Sequence, residues 1–88
     1  MNEVFLKRKL ESCLERLDDY LHTGNMYESV RCILEGMDYA RFGEANASNQ
    51  EAAEYFSNTY SDLESRMLNL AKRLNGFLGH SAYTEYLK

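Results

Sequence analysis

Apolar residues recur every three or four positions along most of this chain, and that spacing places them on one face of an α-helix. The first series begins at Leu6 and stops before Thr23-Gly24, where a glycine favours the end of a helix. The spacing therefore predicts a first helix over about 3–21. Its core face consists of Leu6, Leu10, Cys13, Leu14, Leu17, Tyr20 and Leu21.

A second series follows Asn25, whose side chain suits the N-cap position of a helix. It predicts a helix over about 26–42 that ends at the Phe42-Gly43 pair. Gly36 lies inside this helix at a cost of about 1 kcal/mol relative to alanine, so we expect it to mark a bend or the close approach of another helix. The expected core face consists of Met26, Val30, Ile33, Leu34, Met37 and Ala40.

The third series is the longest, has the spacing of a coiled-coil seam and contains no proline. It follows Ser48-Asn49-Gln50-Glu51, a sequence typical of a capping box, and predicts a helix over about 49–75. Asn75-Gly76 permits a stop, and Ser81 can cap a short closing turn over about 82–87. The apolar series consists of Phe56, Tyr60, Leu63, Met67, Leu70, Leu74 and Phe77.

Three helices with short connections in 88 residues fit a single domain. We predict an all-α fold, an up-down-up three-helix bundle with a long third helix and a short C-terminal helical turn. The charges agree with this path, because the first helix is basic near its start and acidic near its end, whereas the third has the opposite order. Parallel first and third helices would place each basic end beside an acidic one.

The length of the third helix predicts that one of its ends lacks a partner. A helix over 49–75 is about 40 Å long at 1.5 Å per residue, whereas a compact chain of this size is only about 30 Å across. We therefore expect this helix to extend beyond the two shorter ones unless it bends at Asn69 or breaks near Gly76. An exposed apolar end needs a cover, from the C-terminal segment, a second copy or another protein, and we expect a homodimer.

Composition and charge argue against several classes of function. The chain has 10 Lys and Arg against 14 Asp and Glu, so it lacks the basic excess on which nucleic-acid binders depend. The one basic cluster, Lys7-Arg8-Lys9, keeps a helical nucleic-acid-associated protein as an alternative. No apolar run approaches the roughly 18 residues of a membrane span. The first residues do not resemble a signal peptide, so we expect a cytoplasmic protein that does not contact a membrane.

The residues that carry most catalytic and metal chemistry lack the necessary spacing. The sequence contains no Cys-x-x-Cys, His-x-x-x-His or Glu-x-x-His pattern. Cys13 lies on the core face of the first helix, where a free cysteine acts as a small hydrophobic residue. Cys32 lies beside the core face of the second helix, and we expect it to be partly exposed. We expect no cofactor, no metal and no catalytic residue.

Arg73 near the end of the predicted third helix and His80 after it have the spacing Arg-x6-His. This pattern resembles the catalytic motif of the HEPN ribonuclease superfamily, whose all-helical members cleave RNA as dimers. The resemblance implies that Arg73 would stabilise phosphate charge and that His80 would act as acid or base. It covers eight residues, and Leu74 stands where the family has a polar residue. The alternative interpretation is a cation favoured near a helix C-terminus and a loop histidine.

Aromatic residues outside the core faces indicate a binding function. The chain has seven Tyr and no Trp, and tyrosine suits contact surfaces because it combines a large ring with a polar tip. The alternative is that these rings complete a small core. We predict a non-enzymatic protein–protein interaction module (an adaptor, chaperone, inhibitor or immunity-type protein) that binds through an aromatic and aliphatic helix surface. The predicted partner-binding residues are Tyr39, Phe42, Cys32, Met67, Leu74, Phe77, Tyr83 and Tyr86.

Overall fold

A computed structural model describes the backbone of residues 3–78 and the side chains of residues 3–73. It contains three α-helices: α1 over Glu3–Thr23, α2 over Met26–Ala45 and α3 over Gln50–Leu78. No strand occurs within residues 3–78, so the predicted all-α, three-helix fold is confirmed. The short turn predicted over 82–87 lies outside the described residues.

The connections between helices are short, and local hydrogen bonds define where α2 and α3 begin. The side chain of Asn25 accepts a hydrogen bond from the backbone N–H of Glu28 at 3.1 Å. Asn49 does the same for the N–H of Ala52 at 2.8 Å, one position inside the predicted capping box. Each asparagine thus satisfies an N–H group that would otherwise lack a partner in the first turn. Gly24 has a φ of 76°, a left-handed conformation that glycine adopts without strain.

The predicted end of α2 at Phe42-Gly43 is wrong, because the helix continues to Ala45. Asn46 ends it, and the side-chain amide of Asn46 donates to the carbonyl oxygen of Phe42 at 2.9 Å. Gly43 is instead a packing residue in the last turns of the helix. A Cβ atom at this position would lie 2.5 Å from two ring atoms of Phe56. The absence of a side chain therefore lets the Phe56 ring lie against the α2 backbone.

The helix α2 is the middle one of the three, because α1 and α3 both pack along it and approach each other less closely. Gly36 lies at the centre of this arrangement. A Cβ atom there would lie 2.9 Å from Leu63 Cδ1 on α3 and 3.5 Å from Leu10 Cδ1 on α1. The close approach expected at Gly36 therefore involves helices of the same chain. The core consists of Leu6, Leu10, Leu17, Cys32, Ile33, Ala40, Ala52, Phe56, Leu63 and Leu70.

Side chains bridge α1 and α3 at two places, one near each end of α1. Near the start of α1, the Lys7 Nζ atom lies 5.0 Å from the centre of the Tyr55 ring. Near its end, Asp18 Oδ1 and Arg66 Nη1 form an ion pair at 3.3 Å. Residue numbers thus rise together along the two helices, which fits the up-down-up path that the sequence predicts.

The third helix is longer than its neighbours, with 29 residues against 21 in α1. Its helical backbone is continuous through Asn69 and Gly76. Because Asp18 is level with Arg66, the end of α1 at Thr23 is level with about position 71, and α3 continues from there to Leu78. The radius of gyration is 14.1 Å, against about 12 Å for a compact chain of this length. The end of α3 therefore extends beyond the end of α1.

Candidate functional site

The middle helix buries one side between α1 and α3 and leaves the opposite side open. Three large apolar side chains lie on that open side: Tyr27, Leu34 and Phe42, which are 73%, 49% and 48% exposed. Their spacings of seven and eight residues place them on one face of the helix. Single exposed apolar residues are common on protein surfaces, but their alignment on one face is typical of binding sites. We refer to Tyr27, Arg31, Leu34, Asp38 and Phe42 as the outer α2 face.

Two charged residues lie between the apolar positions of the outer α2 face. Arg31 forms an ion pair with Glu28 on the same helix at 3.4 Å, and its side chain remains 63% exposed. Asp38 is exposed and has no ion-pair partner among the side chains that the structure describes. The neighbouring Arg41 turns away from this face, since its guanidinium group lies 5.0 Å from the centre of the Tyr60 ring on α3. The outer α2 face thus carries one cation and one anion, one turn on either side of Leu34.

Of the outer α2 face, only Phe42 is among the predicted partner-binding residues; the apolar members that the sequence analysis missed are Tyr27 and Leu34. Leu34 is placed by its apolar character on the predicted core face of α2, yet half of it is exposed. The prediction was wrong because the buried face is narrow and is centred on Ser29, Ile33, Gly36 and Ala40, of which two are small and one is polar. The spacing of Tyr27, Leu34 and Phe42 was visible in the sequence and is the signal that indicates this face.

Of the predicted partner-binding residues, Phe42 is exposed and Tyr39 lies at the margin of the core. The Tyr39 side chain is half-buried and packs against the core cluster. Burial raises its pKa, and the nearby carboxylate of Glu35 acts in the same direction because it opposes a second negative charge. Tyr39 therefore contributes to the stability of the fold. It lies about one helical turn before Phe42, so it can also support a contact that Phe42 makes.

The expectation that Cys32 is partly exposed is wrong. Its side chain is 3% exposed and belongs to the core, because the flank of α2 that carries it is covered by α1. Burial raises the pKa of the Cys32 thiol. Cys13 is buried as predicted, and burial raises the pKa of its thiol to about 11. The guanidinium of Arg16 lies 3.3 Å from the Cys13 sulfur and also 3.3 Å from Glu35 Oε1, so a small polar cluster closes this side of the core.

The buried cysteines predict slow reaction with thiol reagents. At pH 8 we expect both thiols of the folded chain to react with an aromatic disulfide reagent at least about 100-fold more slowly than in 6 M guanidinium, because access is blocked and little thiolate forms. The reaction is followed by absorbance. A variant with only Cys32 that reacts at the rate of a free thiol would show that this side chain reaches the surface.

Met67 is half-buried and packs against the core from α3. The side chains of Leu74 and Phe77 lie outside the described residues, although the backbone at both positions is part of α3. Tyr83, Tyr86 and His80 also lie outside the described part of the chain.

A cavity of about 220 Å³ opens between α1 and α3 near the extended end of α3. Arg66 on its wall is already paired with Asp18 at 3.3 Å and with Asp62 at 3.1 Å. Arg73 is exposed and has no ion-pair partner among the described side chains. The cavity is lined by Leu21, Arg66, Asn69, Leu70 and Arg73.

The basic residues near the start of α1 extend toward different neighbours. The Lys7 ammonium group lies against the Tyr55 ring on α3, whereas the Lys9 ammonium group lies 5.4 Å from the centre of the Phe5 ring on α1 itself. Only Arg8 extends from this cluster without a described partner ring or carboxylate. The geometry therefore adds nothing in favour of a phosphate-binding surface at these residues.

Among the described residues, no group of three His, Cys, Asp or Glu side chains is arranged to hold a metal ion. Within the same part of the chain, no helix is both long enough and apolar enough to cross a membrane. Comparison of the chain with models of known protein families, with curated proteins and with solved structures finds no match.

Proposed function

We propose that this chain is a small, non-enzymatic protein–protein interaction module that binds another helix along the outer α2 face. The observation that carries this proposal is the alignment of Tyr27, Leu34 and Phe42, each about half exposed or more, on the open side of the middle helix. A helix that forms only part of a bundle core has no need of three large apolar side chains on its solvent side.

The dimensions of the outer α2 face suit a helical partner. From Tyr27 to Phe42 the face is about 22 Å long at 1.5 Å per residue. Apolar anchors at a spacing of seven or eight residues are typical of helix-to-helix recognition. Tyr27, the most exposed of the three, provides the largest area for burial on contact, and Arg31 and Asp38 restrict the orientation of the partner through their charges.

We further propose that the module self-associates and that it acts in the cytoplasm. Two features support self-association: the apolar residues of the outer α2 face have no cover among the described residues, and the backbone of α3 continues past the end of α1. Two free, buried cysteines fit a reducing compartment.

The test of the module is a pair of matched surface variants. We expect Phe42→Ser to reduce recovery of bound protein about tenfold or more when the purified chain is used as bait in an extract of the cells that produce it, because aromatic side chains that become buried on contact contribute much of the binding energy of such interfaces. Leu68→Ser removes an apolar side chain that is 41% exposed on α3 and serves as the control. Equal recovery with both variants and the original chain, at unchanged helicity, would contradict the proposal.

A second candidate function, a ribonuclease, is favoured by one observation. Arg73 lines the cavity between α1 and α3, where a polynucleotide phosphate could reach it. The test incubates purified chain with single-stranded RNA overnight, beside Arg73→Ala and His80→Ala variants prepared in the same way. Cleavage that is lost in both variants would support the ribonuclease, whereas intact RNA with the original chain would exclude it.

A further inference from the structure

We propose that the outer α2 face binds the same face of a second copy of this chain, with the two α2 helices antiparallel and Leu34 next to the two-fold axis. This inference rests on the proposed function, because it names the partner of the same surface.

Self-complementary charge is the first reason to name a second copy. In an antiparallel pair centred on Leu34, a residue four positions after the centre lies level with a residue four positions before it on the other helix. Arg31 therefore lies about one residue from the level of Asp38 of the partner subunit, and the symmetry repeats this pair on the other side of the axis. Both side chains are exposed, so each can extend across the interface, and Arg31 then shares its charge between Glu28 and the partner subunit's Asp38.

The charges also fix the direction of the pair. A parallel arrangement in the same register would place each Arg31 beside the partner's Arg31 and each Asp38 beside the partner's Asp38. Like charges at such positions oppose association, whereas the antiparallel arrangement replaces both repulsive contacts with attractive ones. The two copies are therefore expected to be antiparallel.

The aromatic residues at the two ends of the face fit the same arrangement. Tyr27 lies seven positions before Leu34 and Phe42 lies eight positions after it, so each Tyr27 is nearly level with the partner subunit's Phe42. Two such contacts would cover the most exposed apolar residues of the face at both ends. Arg41 would also be level with Tyr27 of the partner subunit. Its guanidinium group lies against the Tyr60 ring of its own chain instead, so its charge is directed away from this contact.

A single pair of helices of this length forms an interface at the small end of the range for specific complexes. We therefore expect a reversible dimer with a Kd of about 10 μM or weaker, so the measurement must cover concentrations from about 5 to 500 μM. Sedimentation velocity with the full chain gives the dimer fraction over this range.

The test is an exchange of charges across the proposed interface. We expect Arg31→Asp and Asp38→Arg to weaken the dimer about tenfold each, because each variant converts two attractive pairs into two repulsive ones. The double variant Arg31→Asp/Asp38→Arg restores both pairs with the signs reversed, and we expect it to dimerise within about twofold of the original chain. Arg8→Asp, an exposed cation on α1, is the control for a change of net charge.

Three results would overturn the proposal. They are an original chain that stays monomeric at about 500 μM, single variants that dimerise as well as the original, and a double variant that fails to recover. The proposed function is tested separately. If the chain is monomeric but still captures another protein through Phe42, the proposal of an interaction module stands and the proposal of a second copy as its partner is wrong. A dimer that persists in every variant would place self-association elsewhere, for example at the extended end of α3. Circular dichroism of each variant shows that its helices are intact.

Discussion

The Gly43→Ala variant is expected to lower the free energy of unfolding by about 2–3 kcal/mol, although alanine favours helix more than glycine does. A Cβ atom at this position would lie 2.5 Å from Phe56 Cδ1 and Cε1, far inside contact distance. The Phe56 ring is fully buried and cannot move away without displacing its neighbours in the core. Urea unfolding followed by circular dichroism measures the change.

Two further variants distinguish a steric clash from a general effect of substituting glycine. In Gly36→Ala the new Cβ atom would lie 2.9 Å from Leu63 Cδ1, which is the end of a flexible side chain. We therefore expect the free energy of unfolding to fall by less than about 1 kcal/mol. Phe56→Leu removes Cε1, one of the ring atoms that lie against Gly43, and replaces the rigid ring with a smaller and more flexible side chain. In the Gly43→Ala background, we expect Phe56→Leu to lower the free energy of unfolding by less than it does in the original chain. A Gly43→Ala chain as stable as the original would contradict the packing described between α2 and α3.

The Phe56→Ala variant is expected to lower the free energy of unfolding by about 3–5 kcal/mol, enough to unfold much of the protein at room temperature. The Phe56 ring is 0% exposed, and it contacts the neighbouring ring of Tyr55 edge to face, with the centres 5.3 Å apart. Removing it leaves a cavity between α2 and α3 in addition to losing the burial of the ring. Thermal and urea unfolding together show whether a folded population remains.

Phe42→Ala is the matched control for Phe56→Ala, because it removes the same side chain from the solvent side of α2. Phe42 is 48% exposed, so we expect a loss below about 1 kcal/mol in the unfolding free energy. Association should suffer instead. If Phe42→Ala unfolds the chain, the ring belongs to the core and the outer α2 face is not a binding surface.

The existence and approximate bounds of all three helices could be predicted from the sequence, because periodicity and capping residues act locally. The end of α2 could not. Phe42-Gly43 has the composition of a helix end. Glycine is needed at position 43, however, because the Phe56 ring on α3 lies against the backbone there. Such a contact between helices is not visible in the local sequence. A glycine near a predicted end therefore has two explanations, and the position of Phe56 decides between them.

The candidate site was predicted in part for a related reason. Phe42 was assigned to the surface correctly, whereas Leu34 and Cys32 were assigned to the wrong sides of α2. Apolar residues extend around much of this helix, so its own periodicity does not show which side faces the core. The positions of α1 and α3 settle it: both pack along the side that carries Gly36, and the small residues there bring the neighbouring helices close.

The most direct test of the outer α2 face as a docking surface is photocrosslinking in the cells that produce the protein. The photoreactive amino acid p-benzoylphenylalanine replaces Phe42 in one variant and Leu68, a similarly exposed residue on α3, in a second variant. After illumination, we expect a discrete crosslinked product from position 42 and none from position 68, with mass spectrometry identifying the attached chain. No product from position 42, or the same products from both positions, would contradict the account.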